Sequence, residues 1–216
     1  MKRALLLAVA ACSEPATLEP WQLDHDRVVA VRAEPPHLAS GEIGMFDALI
    51  AHEGGPTTVE VARNAAATSA ASDLFTAVHF NIDHWQIDGP DEARLAAARA
   101  ELGLPDGAPV PLLVSLEFPG PLYADKTMWL GDSAANPAPP AISYGPDLEV
   151  GREYQPVFIP PPGSTVRWLT SCGTLTGDTE PRATHIIEEP CTGELVLVLR
   201  DPLGGVAWQV MSIVAK

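Results

Sequence analysis

The chain has 216 residues, with 28 acidic and 13 basic side chains and a formal net charge of −15 at pH 7. Because nucleic acids and anionic lipids are bound by basic surfaces, this charge argues against nucleic-acid binding and against simple electrostatic docking on a membrane. Hydrophobic residues make up 46% of the chain, enough for a packed core, and 22 prolines with 17 glycines favour a loop-rich β fold.

The first twelve residues have the layout of an export signal. Two basic residues precede an apolar run over residues 4–11, which is about half the length that a bilayer span requires. The sequence VAAC, ending at Cys12, resembles the lipobox of bacterial lipoproteins, in which the cysteine thiol accepts a diacylglycerol. This resemblance implies a cleaved signal peptide over residues 1–11 and a lipidated tether over residues 12–20. The alternative is an ordinary secretory signal with an incidental cysteine.

A lipid on Cys12 would make the membrane a partner of this protein without any membrane span. Each buried methylene of an acyl chain contributes about 0.8 kcal/mol, so a triacylated cysteine holds a protein at a bilayer. By resemblance to Gram-negative sorting rules, Ser13 after the cysteine favours the outer membrane. The expected location is therefore the cell envelope, on the periplasmic or the surface side.

Export also decides how the two remaining cysteines are interpreted. In an oxidising compartment, Cys172 and Cys191 are an even pair for which a disulfide is expected. Their spacing fits neither a CxxC redox motif nor a zinc site. A bridge over a loop of about 20 residues would contribute about 3 kcal/mol in the chain-entropy model. The alternative is two free buried thiols.

The segment from residue 21 to 145 is predicted to be an N-terminal β-module with an insertion. Residues 42–51 carry apolar side chains on both faces, so both sides of that strand are expected to be covered. Residues 57–76 are ambiguous: 57–62 could be a strand, but the alanine-rich 64–72 could equally be a helix or a mobile loop. A helix is predicted over about residues 90–103, from an acidic first turn to Gly103 at the C-cap. The other predicted strands in this module are 28–33, 78–82, 110–118 and 126–130.

A C-terminal β-module is predicted over residues 146–216, after a proline-rich hinge at 136–140 and a boundary near Gly145. Turn signals every 8 to 15 residues are typical of a sandwich or an open barrel. Residues 195–199 are apolar on both faces, which predicts a central strand. The predicted strands of this module are 154–159, 165–171, 183–188, 194–200 and 206–214.

Three segments carry a resemblance to known proteins: RVVAVRAEPP with GEIGMFDALI within residues 27–50, VRWLTSCGTL at 166–175 and GELVLVLRDPLGGVAW at 193–208. They are similar to bacterial envelope lipoproteins built from immunoglobulin-like or fibronectin-like modules. The resemblance implies a mainly β fold of two immunoglobulin-like β-sandwich modules, the first with a helical or irregular insertion. Trp168 departs from the immunoglobulin pattern because it precedes both cysteines, and it is expected to pack beside their bridge.

The sequence shows no motif for catalysis. There is no GxSxG elbow, P-loop, GxGxxG after a strand or HExxH. The best polar cluster is His79, Asp83, His84 and Asp88, but positions four apart on a strand are separated by about 13 Å, too far to chelate one ion. We therefore predict no metal, no cofactor and no enzymatic activity. The alternative is an envelope hydrolase acting on glycan or peptide through Asp83 and Asp88.

The tryptophans are the remaining candidates for a binding surface. Trp168 and Trp208 lie in apolar strands and are predicted to pack in the core, whereas Trp85 and Trp129 are candidate ligand-binding residues. A calcium site at Asp201 is disfavoured, since one carboxylate is far short of the oxygens needed. The predicted function is thus a non-catalytic, lipid-anchored envelope protein, either a spacer or a binding or adhesion module for an unknown protein or glycan.

Overall fold

The computed structural model describes residues 19–71, 74, 78–81, 84–120 and 122–216. The predicted signal peptide, the lipidation site Cys12, the tether to residue 18 and Asp83 lie outside these residues. No helix in the described ranges is long and apolar enough to cross a membrane. The prediction of a mainly β fold is confirmed.

The described residues form β-strands and a helix of eleven residues. In the first half these elements are β1 Arg27–Glu34, β2 His37–Leu38, β3 Ile43–Ala51, β4 Thr58–Glu60, β5 Asn64–Thr68, β6 Val78–Asn81, β7 His84–Asp88, α1 Glu92–Leu102, β8 Val110–Phe118 and β9 Leu122–Leu130. In the second half they are β10 Asp147–Leu148, β11 Arg152–Tyr154, β12 Thr165–Thr170, β13 Thr174–Thr176, β14 Thr184–Ile187, β15 Cys191–Arg200 and β16 Val206–Ala215.

These strands form four sheets. Sheet 1 has the order β1-β3-β7-β6, with β4 also paired to β3, and sheet 2 has the order β2-β9-β8-β5. Sheet 3 has the order β10-β16-β15-β12, and sheet 4 has the order β11-β14-β13. Sheets 1 and 2 therefore use the chain up to residue 130, and sheets 3 and 4 use the chain from residue 147.

Each pair of sheets encloses its own apolar core. Between sheets 1 and 2, Phe46 and Ile50 of β3 pack with Leu116 and Phe118 of β8. The core between sheets 3 and 4 has Trp168 at its centre and includes members of both sheets: Val166, Leu195, Leu197, Leu199 and Ile213 on sheet 3, and Leu175 and Ile187 on sheet 4. Alternation along the strands sends every second side chain into these cores, which makes each pair of sheets a β-sandwich.

The helix predicted over about 90–103 is α1, which begins at Glu92 and ends at Leu102. It begins two residues later than predicted because Asp91 is the N-cap, and its side chain accepts a hydrogen bond from the Arg94 amide at 2.9 Å. Gly103 ends the helix in the left-handed conformation, with φ of 66°.

Several segments differ from the sequence prediction. Residues 64–68, for which the sequence predicts a helix or a mobile loop, form β5 and pair with β8. The predicted strand at 154–159 is wrong beyond Tyr154, because Pro156 and Pro160 interrupt the ladder and leave Val157 with a single bridge. The short strands β2, β10 and β13 were not predicted, because two or three residues carry too little periodicity to be recognised.

The cysteine pair forms the predicted disulfide between Cys172 and Cys191, with Cα atoms 5.6 Å apart. Cys172 follows β12 and Cys191 begins β15, and these two strands are neighbours in sheet 3. The bridge therefore joins strand ends within one sheet rather than the two layers of the sandwich. Trp168 is fully buried in the same core as Cys172, as predicted.

A third apolar cluster joins the two sandwiches. Val29 and Leu49 of sheet 1 pack in it with Val196 and Val198 of sheet 3. The predicted central strand is confirmed, since β15 lies between β16 and β12 and has both faces buried. One face fills the C-terminal core, and the other face fills this junction. The remaining buried members of the junction cluster are Leu23, Ala30, Ala51, Leu169 and Val206.

The segment before β1 also belongs to the C-terminal side of this junction. Gln22 forms a parallel bridge with Thr170 of β12, and the Leu23 amide donates to the Thr170 carbonyl oxygen at 3.0 Å. Trp21 packs against the C-terminal core. The chain therefore contacts sheet 3 first and only then enters sheet 1, although the sequence predicted an N-terminal module from residue 21.

Candidate binding groove at the junction

The two tryptophans predicted to bind ligand lie in different sheets and both have partners within the protein. Trp85 of β7 is half-buried, and its Nε1 donates to the Ala62 carbonyl oxygen at 2.7 Å. Trp129 of β9 is half-buried, with its ring centroid 6.2 Å from that of His37. Gly204 lies against the same indole, since a Cβ placed there would be 3.4 Å from its Nε1. The structure does not bring the two indoles together into one platform.

The polar residues that the sequence offered as a metal or catalytic cluster do not form such a site in the described residues either. Asp88 is exposed at the end of β7, and Asp83 lies outside the described residues. His79 of β6 and His84 of β7 occupy different register positions, opposite Gln86 and Asn81. Within the part of the chain that the structure describes, no three His, Cys, Asp or Glu residues are grouped as a metal site.

Trp208 lies at the junction rather than inside a sandwich. It packs against the junction cluster, and the Arg32 guanidinium lies 4.5 Å from its ring centroid. Arg32 is held over the ring by two hydrogen bonds to Asp47, at 3.0 and 2.5 Å. This cation–π contact adds a polar contribution to an otherwise apolar contact between sheets 1 and 3.

A buried histidine crosses the junction. His37 is 4% exposed, and its Nδ1 lies 2.7 Å from Asp132 Oδ1 while its Nε2 lies 2.6 Å from the Leu203 carbonyl oxygen. Each ring nitrogen thus lies within hydrogen-bond distance of an oxygen that can accept from it. The imidazole thereby connects β2 of sheet 2 to the turn between β15 and β16.

Glu194 of β15 makes a second polar contact across the junction. Its Oε2 accepts from the Thr57 amide at 2.8 Å and from the Thr57 hydroxyl. The loop of residues 54–56 and the start of β15 enclose a shallow groove of about 430 Å³ there, lined mainly by glycine, serine and threonine. This first groove contains no described basic side chain.

A second groove of about 430 Å³ lies on another side of the junction. It is lined by residues 28–31 of β1, by residues 123–127 of β9, and by parts of the turn between β15 and β16. Successive side chains of a strand point to opposite faces of the sheet. A groove that is lined by consecutive residues of a strand must therefore run along the edge of that strand. In the order of their sheets, β1 is an edge strand, and β9 is paired to β8 along its length and to β2 only at residues 129–130.

Two basic side chains line this edge groove. Lys126 Nζ donates to the Gly204 carbonyl oxygen at 2.6 Å, and Arg200 Nη2 donates to the Val29 carbonyl oxygen at 3.3 Å. Burial, and then the positive charge of Arg200, lower the pKa of Lys126 to about 8, although Asp201 opposes the shift. Burial, followed by the charge of Arg167, also lowers the pKa of Arg200.

The acidic residues lining the same groove are committed to other contacts. Asp201 Oδ1 accepts from the Leu203 and Gly205 amides at 2.9 and 2.7 Å, which fixes the turn between β15 and β16. Asp125 accepts from the Ser115 hydroxyl at 2.7 Å on the outer face of sheet 2. Among the described residues, neither Lys126 nor Arg200 has a carboxylate within the 4.0 Å of a salt bridge. The groove therefore holds two cations that the fold does not neutralise by direct pairing.

Sequence reasoning missed these two residues. The sequence predicts Lys126 only as the first residue of a strand over 126–130 and Arg200 only as the last residue of a strand over 194–200. Basic residues are rare in this chain, and this scarcity is the one sequence signal that Lys126, in the middle of β9, and Arg200, at the end of β15, offered. Only the docking of the two sandwiches brings them to one groove, and no local pattern predicts that docking.

A buried polar chain in the C-terminal core has a structural role. His185 is fully buried, and its Nε2 donates to the Cys172 carbonyl oxygen at 2.6 Å while its Nδ1 accepts from the Tyr144 hydroxyl at 2.7 Å. Burial lowers the pKa of His185, which keeps the ring neutral. Burial also raises the pKa of Tyr144, which keeps its hydroxyl a donor. This arrangement attaches the connecting segment near residue 145 to the C-terminal core.

No protein-family model matches the chain, and no curated protein sequence matches it. Among solved structures it is similar to the N-terminal Ig1-2 module of the Drosophila receptor protein tyrosine phosphatase DLAR, with 12% identity, a TM-score of 0.30, and coverage of 89% of this chain and 99% of that one. It is also similar to the Clostridium thermocellum CbhA fibronectin(III)-like modules, with 9% identity, a TM-score of 0.32, and coverage of 86% and 93%. At TM-scores below 0.5 these similarities assign no function.

Proposed function

We propose that this chain is a non-catalytic, lipid-anchored protein of the cell envelope, whose two β-sandwiches form one unit that presents a binding surface. The observation that carries the binding role is the junction. It has an apolar core of its own, and hydrogen bonds cross it between His37 and the Leu203 carbonyl oxygen and from the Thr57 amide to Glu194. Freely hinged modules need no such core, whereas a surface that spans two modules needs a fixed relative orientation.

The lipid anchor is supported by the lipobox resemblance at Cys12. The stretch from Cys12 to Glu19 reaches at most roughly 25 Å when fully extended. Trp21 packs against the C-terminal core, so the C-terminal sandwich would lie within about that distance of the membrane surface. A protein or glycan partner in the envelope space would then have access to the folded chain.

The anchor is tested by labelling expressing cells with a palmitate analogue. We expect label on the wild-type chain and none on Cys12→Ala, with Cys12→Ser as the isosteric control that also loses the label. Label that persists in both variants would contradict acylation at this residue. Soluble, unprocessed wild-type chain would contradict the envelope location as well.

The absence of catalysis is tested by a hydrolase screen with glycan and peptide substrates. We expect no turnover by the wild-type chain above that of a heat-denatured sample. Turnover that disappears in Asp83→Asn or Asp88→Asn, with the fold intact by circular dichroism, would replace the binding role with the envelope-hydrolase alternative. The two asparagine substitutions are isosteric, so they remove the charge and the acid–base capacity without changing the size of the side chain.

A further inference from the structure

We propose that the groove between β1, β9 and the turn from β15 to β16 binds a small oxyanion ligand, a carboxylate or a phosphate, through Lys126 Nζ and the Arg200 guanidinium. This inference deepens the binding role proposed above and rests on it. Neither candidate tryptophan, Trp85 or Trp129, lines this groove, although its Gly204 lies against the Trp129 indole. A partly exposed groove of about 430 Å³ is in the size range of small-molecule sites.

Both cations have donors left for a ligand. An ammonium group has three N–H donors, and the described contacts of Lys126 use one of them for Gly204. A guanidinium has five donors, and the described contacts of Arg200 use one for Val29. The planar guanidinium presents its donors as a fork that matches the paired oxygens of a carboxylate or phosphate.

The backbone contacts of the two cations hold them in place before a ligand arrives. Val29 lies on the edge strand β1 and Gly204 lies in the turn, so the two acceptors come from opposite sandwiches. Side chains fixed in this way lose less rotamer freedom when a ligand binds, which favours affinity.

The overall charge of −15 does not exclude an anion from this groove. The Debye length at physiological ionic strength is about 8 Å, so exposed carboxylates further away are largely screened. Inside the groove, two carboxylates accompany Lys126 and Arg200. The Oδ1 atom of Asp201 is occupied by two amides of its own turn, and Asp125 accepts from the Ser115 hydroxyl on the outer face of sheet 2. The formal charges of these four side chains cancel, but both carboxylates have other partners, so the unpaired donors of the two cations remain available to a negative ligand. Partial burial strengthens that attraction relative to open solvent.

The rim of the groove suits the rest of a ligand that carries the anion. Tyr123 is 68% exposed and lines this groove, so its ring and hydroxyl are accessible to a carbon skeleton with polar substituents. Tyrosine combines an apolar face with a polar tip, a combination enriched in binding surfaces. Thr127 adds an exposed hydroxyl on the same strand.

The experiment is calorimetric titration of the full chain with three probes: inorganic phosphate, a galacturonate trisaccharide and the neutral galactose trisaccharide. We expect binding of at least one anionic probe, no binding of the neutral sugar, and an affinity that falls as salt rises. Phosphate binding alone would identify a phosphate site, and galacturonate binding alone would identify a carboxylate site. Binding of neither anion, or equal binding of the neutral sugar, would overturn the proposal.

Variants identify the side chains. Lys126→Met keeps most of the side-chain length without the charge, Arg200→Gln removes the guanidinium, and Lys216→Met is the matched control at an exposed lysine outside the groove. We expect each groove variant to weaken anion binding by about tenfold, as for the loss of one charge-assisted hydrogen bond, and the control to be unchanged. Thermal unfolding of each variant shows whether the fold is intact. Undiminished affinity in a variant that combines Lys126→Met with Arg200→Gln would overturn the proposal.

The pH dependence is a second readout that a purely structural lysine would not give. Galacturonate stays fully ionised between pH 6 and 10. The other titratable or charged side chains that line the groove with Lys126 are Tyr123, Asp125, Arg200 and Asp201. Because the pKa of Lys126 is lowered to about 8, binding should weaken above that pH, and Lys126→Met should abolish this inflection. The palmitate and hydrolase tests measure acylation and catalysis, whereas the titration measures anion binding. A failed titration would therefore refute the anion site without refuting the lipid anchor, and a failed labelling test would not refute the anion site.

Discussion

Truncation of the junction face of β15 tests whether the two sandwiches are held together by apolar burial. Val196 and Val198 are both fully buried and point into the junction, whereas Leu197 between them points into the C-terminal core. Val196→Ala with Val198→Ala removes four buried methyl groups. At about 0.8 kcal/mol for each buried carbon, the free energy of unfolding should fall by about 3 kcal/mol, before any cavity left behind is counted.

Thermal and urea unfolding, followed by near-ultraviolet circular dichroism, measure this change. For a chain of this size, about 3 kcal/mol corresponds to a fall in Tm of roughly 6 to 12 °C. We also expect the wild-type chain to unfold in one transition and the double variant to separate toward two, because the cores of the two sandwiches are left intact.

The matched control makes the same chemical change on an exposed face. Val59 of β4 and Val61 just after it are 56% and 39% exposed. Val59→Ala with Val61→Ala should change stability by no more than about 0.5 kcal/mol. If the junction variant shifted Tm no further than this control, the inference that the face is buried in solution would be refuted.

Three further predictions concern individual contacts. His37→Ala should lower the free energy of unfolding by about 2 kcal/mol through the loss of two hydrogen bonds, while His25→Ala at a more exposed position should have little effect; urea unfolding measures both. Replacing Cys172 and Cys191 by alanine should lower stability by about 3 kcal/mol, and intact mass after alkylation with and without reductant should show two protected thiols in the untreated wild-type chain. Burial lowers the pKa of His185, so below pH 6.5 the unfolded state binds a proton that the folded state does not. The contribution of His185 to the free energy of unfolding should therefore be largest above pH 6.5 and should fall as the pH decreases from there, by at most about 1.4 kcal/mol per pH unit. Urea unfolding at pH 7 and pH 5 measures this loss, and His185→Gln should remove it.

The strands could be predicted where buried positions produce a regular pattern of apolar residues in the sequence. Residues 195–199 are apolar without interruption, and this pattern indicated that both faces of β15 are covered. The pattern did not indicate which parts of the chain cover the two faces. One face packs inside the C-terminal sandwich, and the other packs against sheet 1, which is formed more than a hundred residues earlier in the chain. In β3 the same reasoning held for Leu49, which is 1% exposed, and failed for Ile43, which is 54% exposed at the far end of the strand.

The candidate site could not be predicted for a related reason. Lys126 and Arg200 are separated by 74 positions, and each has an ordinary local role in a strand or at a hairpin. Trp129 carried the stronger signal for binding because exposed indoles are frequent in ligand sites, yet it is half-buried beside His37. Which side chains line a groove depends on the packing of sheets, and that packing is a tertiary property.

The junction and the groove are parts of one arrangement. The segment from Arg200 to Val206 supplies Val206 to the apolar junction, and it also supplies Arg200 and the Gly204 carbonyl to the groove. The groove therefore exists only when the sandwiches are docked, and an anion that binds there stabilises the docked form alone. At ten times its dissociation constant such a ligand should add about 1.4 kcal/mol to the free energy of unfolding. A ligand-dependent rise in Tm should accordingly be lost both in the groove variants, which remove the donors, and in the junction variant, which loosens the docking while leaving Lys126 and Arg200 in place.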